Sequence, residues 1–274
     1  MSDASLHPQR VNIEETMRNL KGMVSYAQNF EDVLLRRVLH DVASGFYVDV
    51  GAQEPKIDSV TKHFYENGWR GINLEPHPEY FVALRNDRPR DINLNIAASD
   101  RVGTTEFYFV DNSGLSSADP RVKEVAGAHG LAARVGQVPT NRLAGILAEH
   151  GVDEIHFMKI DVEGAEAAVL RGMDFARWRP WVMLIEGTLP NNPAPCWDQF
   201  EPLAIAGGYK PVYFDGLNRW YLRNESIDRE PLFSVPINVF DQFTRWKEHE
   251  WNLLQTTPRT APIAMESFAS AFRR

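Results

Sequence analysis

"FYVDVGAQEPKIDSV" (Phe46–Val60) opens as a β-strand and ends as the lead-in to a helix. Residues 45–52, "GFYVDVGA", form a short apolar run rich in β-formers that stops at a glycine, and 59–68, "SVTKHFYENG", has helical spacing and a glycine stop. The same alternation continues downstream. Residues 69–76, "WRGINLEP", read as a second strand closed by Pro76, 78–89 as a second helix with Phe81 and Leu84 at helical spacing, and 91–100 as a third strand. Repeated βαβ units with short connections imply a parallel sheet with right-handed crossovers.

Residues 103–111, "GTTEFYFVD", alternate like an additional strand, whereas 112–136 are polar and glycine-containing, leave their secondary structure open and are a candidate substrate loop. A helix is predicted over 139–151, a strand over 154–161, a helix over 162–173 and a strand over 179–187. Residues 208–224 place two aromatic-rich runs around Asp215-Gly216-Leu217-Asn218, a hairpin signature that adds an antiparallel edge to the sheet. After Pro231, Phe240, Phe243 and Trp246 recur at mostly helical spacing, and 255–262 reads as linker or tail. The predicted organisation is an N-terminal extension (1–22), one domain (23–240) and a C-terminal helical appendage and tail (241–274).

At 274 residues and 43% hydrophobic content the chain can bury a large core. A formal net charge of −8 argues against a nucleic-acid partner, since phosphate-backbone binding relies on a concentrated basic surface. The single cysteine, Cys196, can form neither an internal disulfide nor a cysteine metal cage. The opening residues lack the apolar core of a signal peptide and no run approaches membrane-spanning length, so a cytoplasmic location is expected.

In open α/β sheets, ligands bind at the carboxyl ends of the strands near the point where strand order reverses. That rim carries Asp49 to Ala52, Glu75, the Ala97–Ser99 turn, Asp161 and Glu186. An acid at the end of the second strand, Glu75, suits the two hydroxyls of a ribose. A dinucleotide pyrophosphate needs a glycine-rich turn, whereas this loop offers Gly51, a proline and the acids Glu54 and Asp58. S-adenosylmethionine, which has a ribose but no phosphate and carries cationic groups, fits an acidic rim better. Strand-terminal acids also cap helices or face solvent, so the motif alone leaves other nucleotides and purely structural roles open.

Several ordered blocks sharpen this reading: "SYAQNFEDVLLRRVL" (25–39), "FYVDVGAQEP" (46–55), "DSVTKHFYENGWRGINLEPHPEYF" (58–81), "RPRDINLNIAASD" (88–100), "GLSSAD" (114–119), "MKIDVEGAEAAVLRG" (158–172), "IEGTLP" (185–190) and "YFDGLNRWYL" (213–222). In content and order they resemble FkbM-type S-adenosylmethionine-dependent methyltransferases, in particular the bacterial subgroup encoded with, or fused to, glycosyltransferases. The resemblance implies a class I methyltransferase fold: a Rossmann-like α/β, seven-stranded mixed sheet flanked by helices, with the last strand antiparallel. It further implies O-methylation of a hydroxyl, commonly on a sugar, in a glycan, nucleotide-sugar or natural-product acceptor. Carried over by motif, Asp49, Gly51 and Ala52 border the methionine part of the cofactor, and Glu75 with Pro76 meets the ribose. Ala98, Ser99 and Asp100 lie near adenine, and Asp161 faces the reaction centre. The block before the first strand lies over the cofactor and offers Gln28, Glu31 and Asp32. Glu54-Pro55-Lys56 stands where the wider family often has another glycine, which leaves the contacts of Gln53 and Asp58 open. The alternative function is a non-catalytic scaffold for a glycosyltransferase partner; nicotinamide-dependent oxidoreduction is disfavoured by the loop chemistry.

Methyl transfer to oxygen is an in-line displacement that gains from positioning and from a general base. Asp161 and Glu163 follow the fourth strand and Glu186 ends the fifth, so three carboxylates are expected to converge, with Lys159 on the same side of its strand to neutralise them. A Mg²⁺ ion held by Asp161 and Glu186 is the alternative way to activate a hydroxyl. His77 is a further candidate base, His156 reads as a satisfied core or surface histidine, and Glu166 as a capping or solvent-facing residue. Tyr213, Phe214, Trp220 and Tyr221 read mainly as hairpin packing, and Asp215 and Asn218 either as glycan contacts or as turn chemistry. Trp246 and Trp251 are read as a cover for the core or as a subunit contact in a homo-oligomer.

Overall fold

In a computed structural model, which describes residues 12–111 and 113–256, seven strands form one twisted sheet: β1 (Phe46–Val50), β2 (Arg70–Leu74), β3 (Ile92–Leu94), β4 (Phe157–Ile160), β5 (Val182–Glu186), β6 (Tyr209–Phe214) and β7 (Asn218–Arg223). Their spatial order is β3-β2-β1-β4-β5-β7-β6. All pairings from β3 to β5 are parallel, and β7 runs antiparallel to both β5 and β6. The predicted hairpin is therefore present, but its second strand inserts beside β5 and its first forms the edge. Strand order reverses between β1 and β4, where chain connections leave to opposite faces and open a crevice above the carboxyl ends.

The central strands are apolar on both faces because helices cover both. Val48, Val50, Met158 and Ile160 face one core with Leu143, Ile146, Val169 and Leu170. Tyr47, Phe157, Leu184 and Trp220 face the other with Leu34, Leu35, Val38 and Phe64. The period of two along β1 puts Asp49 on the same side as Tyr47, under the crevice rather than in it. His156, just before β4, packs at the edge of this second core, its Nδ1 accepting from the Phe46 amide (3.0 Å) between Trp69 and Trp181, which is the satisfied-histidine reading.

Three expectations change, and one stretch left open gains structure. Within 112–136, whose structure the sequence left open, a helix spans Arg121–Ala128, and Ala133–Asn141 pairs antiparallel with Gly103–Val110 and parallel with Ala97–Ala98 in a separate three-stranded sheet. That ladder takes residues 139–141, so the helix predicted from 139 begins only at Leu143. The helix predicted from Val162 begins at Glu166, because Glu163 (φ 55°) and Gly164 (φ 103°) are left-handed and the Glu166 carboxylate takes the amides of Val162 and Gly164. Finally, Phe243–Arg245 is not helical but pairs in parallel with Met23–Ser25, and the helix starts at Trp246. Phe240 is exposed, whereas Trp246 stacks on Tyr26. Residues 1–11 of the expected extension and 257–274 of the tail lie outside the described residues.

The C-terminal segment is tied down by a fully buried ion pair. Arg37 Nε and Nη2 meet the two Asp241 oxygens at 2.8 and 2.5 Å, and the guanidinium also donates to the carbonyls of Leu232, Val235 and Pro236. Removing one partner strands the other charge in the interior. Asp241→Ala is therefore expected to cost about 3–5 kcal/mol in urea unfolding, and a loss below about 1 kcal/mol would show that water reaches Arg37.

Candidate active site

The crevice is built on a glycine. Gly51, directly after β1, has φ 80°, and a Cβ there would lie 1.8 Å from the Asp161 carbonyl oxygen, so only glycine lets the ends of β1 and β4 meet. Lys159 Nζ donates to the Gly51 carbonyl (2.7 Å) and fastens the same junction. The loop then turns through Gln53 (φ 51°), whose amide donates to Glu75 Oε2 at 2.7 Å. The His77 amide donates to Glu75 Oε1, also at 2.7 Å. Two backbone donors thus aim a carboxylate that is 5% exposed, while each oxygen keeps a further lone pair. Glu54, where a glycine was expected, caps its own turn by accepting from the amides of Lys56 and Ile57. Lys56 lies over the Trp246 ring and pairs with Glu250, so the C-terminal helix braces this loop.

Above the loop lies a cavity of about 650 Å³. The sequence-predicted Gln28, Gly51, Ala52, Asp58, Glu75, Pro76, Ala98, Lys159, Asp161, Glu163 and Glu186 all line it. Five predicted residues do not line it. Asp49 is buried beneath, accepting from Thr61 Oγ1 at 2.8 Å. Asp32 is buried behind Gln28, where it accepts from Ser25 Oγ and the amides of Tyr26 and Ala27 and so shapes the block that presents Gln28. Ser99 donates its amide to Asn141, and Asp100 turns outward to Arg171. Glu31 is likewise internal, joining Asn29 to Asn218. Asn218 is thereby committed, and Asp215 accepts from the amides of Leu217 and Asn218 and from Trp220 Nε1, so ordinary turn chemistry accounts for both. Trp220 and Tyr221 are fully buried packing residues. Glu166 is buried as well, which removes the solvent-facing reading.

Opposite Glu75, side-chain oxygens of Asp161, Glu163 and Glu186 lie within 4.8 Å of one another. Lys159 Nζ is 3.2 Å from Asp161 Oδ2 and 3.7 Å from Asp49 Oδ1. Burial alone would lower the lysine pKa, but the two carboxylates outweigh it and hold the ammonium charged. Burial, with the neighbouring carboxylates, pushes Glu163 and Glu186 well above the usual carboxylate range.

Further acids are raised by burial: Glu31 and Glu75 to about 7 and Asp32 to about 6. A carboxyl with a raised folded-state pKa binds more protons when folded than unfolded, so stability is full at low pH and falls as pH rises through the folded value. The cofactor-free protein is expected to lose roughly 5 °C or more in Tm between about pH 5 and pH 8. A flat melting profile would mean that these groups ionise in the native state without cost.

Ser113 to Ser116 and Leu131, from the stretch read as a substrate loop, line the cavity from the connection between the two long strands of the side sheet. Sequence reasoning missed Asn191 and Asn192, which come from a small hairpin, Thr188–Leu189 paired with Asn192–Pro195. The adjacent asparagines before Pro193 are a turn signal, but only the fold shows that this turn lines the cavity. His77 is 1% exposed and contacts Asp111 (3.1 Å) rather than the cavity, so it is not placed as a base.

The arrangement suits S-adenosylmethionine. A buried, amide-aimed carboxylate at the end of β2 matches a ribose diol, Leu74, Ile96, Ala97 and Ala98 offer an apolar bed for adenine, and the acids opposite favour a cationic centre. The family model described as "Methyltransferase FkbM domain" matches residues 49–214. The chain belongs to the FkbM methyltransferase family. It is an S-adenosylmethionine-dependent methyltransferase, and its sheet is the mixed seven-stranded sheet of that fold. Among solved structures, this FkbM methyltransferase is similar to a TehB-like SAM-dependent methyltransferase from Corynebacterium glutamicum, at 10% identity over 70% of this chain and 88% of the other, with a TM-score of 0.37. No curated protein matches the chain significantly. Among the described residues of the FkbM protein, no helix is long and apolar enough to cross a membrane.

Proposed function

We propose that this methyltransferase acts on a hydroxyl oxygen of a sugar, in a glycan, a nucleotide-sugar or a natural-product acceptor. The observation that carries the proposal is the pairing of a carboxylate cluster with a wall of uncharged polar residues, Ser113, Ser116, Thr188, Asn191 and Asn192, around one cavity. Such a wall matches a hydroxyl-rich acceptor, and a weakly acidic hydroxyl needs a base beside it.

S-adenosylmethionine supplies an electrophilic methyl group when bound. Glu75 receives the ribose hydroxyls, with Pro76 and Ala98 bordering the nucleoside, and Gly51 and Ala52 admit the methionine portion close to the backbone. Gln28 and Asp58 close the cofactor side. Asp49, Asp32, Ser99 and Asp100 act from behind by holding these elements. Lys159 engages Asp161 through Oδ2, which leaves Oδ1 to take the acceptor proton. Glu163 and Glu186 orient the acceptor beside it. Association with a glycosyltransferase rests on the family resemblance.

Calorimetric titration with S-adenosylhomocysteine tests the cofactor half of the proposal. Glu75→Ala is expected to weaken binding by about 10- to 100-fold, the worth of charge-assisted hydrogen bonds to one carboxylate. Unchanged affinity would move the ribose elsewhere. Transfer of labelled methyl to a panel of sugar acceptors tests the other half, and a product methylated on nitrogen or carbon would overturn it.

A further inference from the structure

Gln53 stands in a backbone conformation that disfavours any residue with a Cβ: its φ of 51° is left-handed. Such strain persists where the surroundings over-determine the residue, and Gln53 is held from both sides. Its backbone amide donates to Glu75 Oε2 at 2.7 Å, and its side-chain amide donates to the Ser113 carbonyl at 3.1 Å. One residue therefore touches both the acid assigned to the ribose and the first residue of the uncharged polar wall.

That wall depends on contacts from outside its own sheet. Residues 113–117 lie between the strand Gly103–Val110 and the helix Arg121–Ala128. Local bonds close the segment on itself: Ser113 Oγ donates to the Val110 carbonyl and accepts from the Leu115 amide, and Ser116 Oγ accepts from the Val110 amide. At its far end the Ser117 hydroxyl, 1% exposed, lies 2.8 Å from the Val162 carbonyl and 3.0 Å from that of Glu163, which pins the segment to the turn after β4. At its near end Gln53 is the closer donor, since Tyr80 Oη lies 3.5 Å from the Ser113 carbonyl, at the limit of a hydrogen bond. Gly114 sits between the two ties: a Cβ there would lie 3.8 Å from Gln53 Nε2 and 4.0 Å from Glu163 Oε1.

We propose that Gln53 is a positioning residue that couples the cofactor half of the cavity to the acceptor half. A ribose on Glu75 restrains the carboxylate, the carboxylate restrains the Gln53 backbone, and the Gln53 side chain then fixes Ser113 and the wall that follows it. A segment already ordered by one ligand costs less to order for the second, so cofactor and acceptor strengthen each other's binding, equally in either order. Glutamine suits the task because it donates without bringing a positive charge to Glu75, whose free lone pairs stay available to the ribose. The inference rests on the proposed reading of Glu75 as the ribose ligand and of Ser113 to Ser116 as part of the acceptor wall.

The test is hydrogen exchange read by mass spectrometry on the full chain, without ligand and with S-adenosylhomocysteine at a concentration saturating for each protein. In wild type, the ligand is expected to slow exchange over 72–77 and, by at least about fivefold, over 113–117, the low end of coupling between two sites. Gln53→Met, which keeps the length but cannot donate, and Gln53→Ala are each expected to lose the slowing over 113–117 and to keep that over 72–77. A purely structural role would speed exchange over 113–117 equally with and without ligand, leaving the ligand's effect intact. Slowing over 113–117 that persists in both variants would overturn the assignment to Gln53. Slowing confined to 72–77 in wild type would overturn the coupling and leave the cofactor site standing. Slowing of neither stretch in wild type would overturn the Glu75 reading, and this inference with it.

Discussion

Asp161→Asn is expected to lower methyl transfer by about 10²- to 10⁴-fold while S-adenosylhomocysteine affinity stays within a few-fold of wild type. The amide keeps the shape of the side chain and one oxygen for Lys159, but it cannot take a proton from the acceptor. The fold is expected to survive, because Asp161 is partly exposed and Lys159 keeps the Asp49 carboxylate and the Gly51 carbonyl. Single-turnover transfer of labelled methyl separates this effect from product release, and the loss should appear in the chemical step and not in cofactor binding. Wild-type turnover in the variant would reject Asp161 as the base and leave Glu163 or Glu186 to take the proton.

Gly51→Ala is expected to destabilise the protein by about 3–5 kcal/mol, combining left-handed strain with overpacking, and to abolish S-adenosylhomocysteine binding. The new methyl would lie 1.8 Å from a backbone oxygen, so the ends of β1 and β4 must part where Lys159 and Asp161 are positioned. Gly68→Ala is the control: its φ is 90°, but nothing lies within 4 Å of the added Cβ. Only the backbone term remains there, about 1–2 kcal/mol, and binding should survive. Similar losses for the two variants in urea unfolding would show that the β1–β4 junction has slack.

The parallel half of the sheet was legible because its strands are buried on both faces and therefore read as continuous apolar runs between glycine and proline stops. Glu75, Asp161 and Glu186 were legible for a related reason. Each ends a strand whose place in the sheet follows from the alternation, so each falls on one rim. The side sheet was not legible. Ala133–Asn141 is held by partners some 30 residues earlier in the chain, and its Gly136 and Pro139 weaken any local strand signal. The same holds for Phe243–Arg245, whose partner Met23–Ser25 lies at the other end of the domain.

Among the site residues, the division follows the reach of each interaction. Local order along the chain determined the fold class, the acidic character of the rim and the identity of the strand-end acids, because these depend on neighbours a few residues apart and on a side-chain period of two. Tertiary structure alone decided which acids face the cavity and which lie behind it. Asp49 and Asp32 carry the same group as Asp161, yet one is turned into the second core by the register of β1 and the other is consumed by three donors of its own segment. It also decided that Gly51 packs against the Asp161 carbonyl where the ends of β1 and β4 meet, and that two asparagines from a short hairpin line the cavity. A sequence states which groups a chain carries, but the burial, distance and hydrogen-bond competition that set their charge and direction arise only when distant segments pack together.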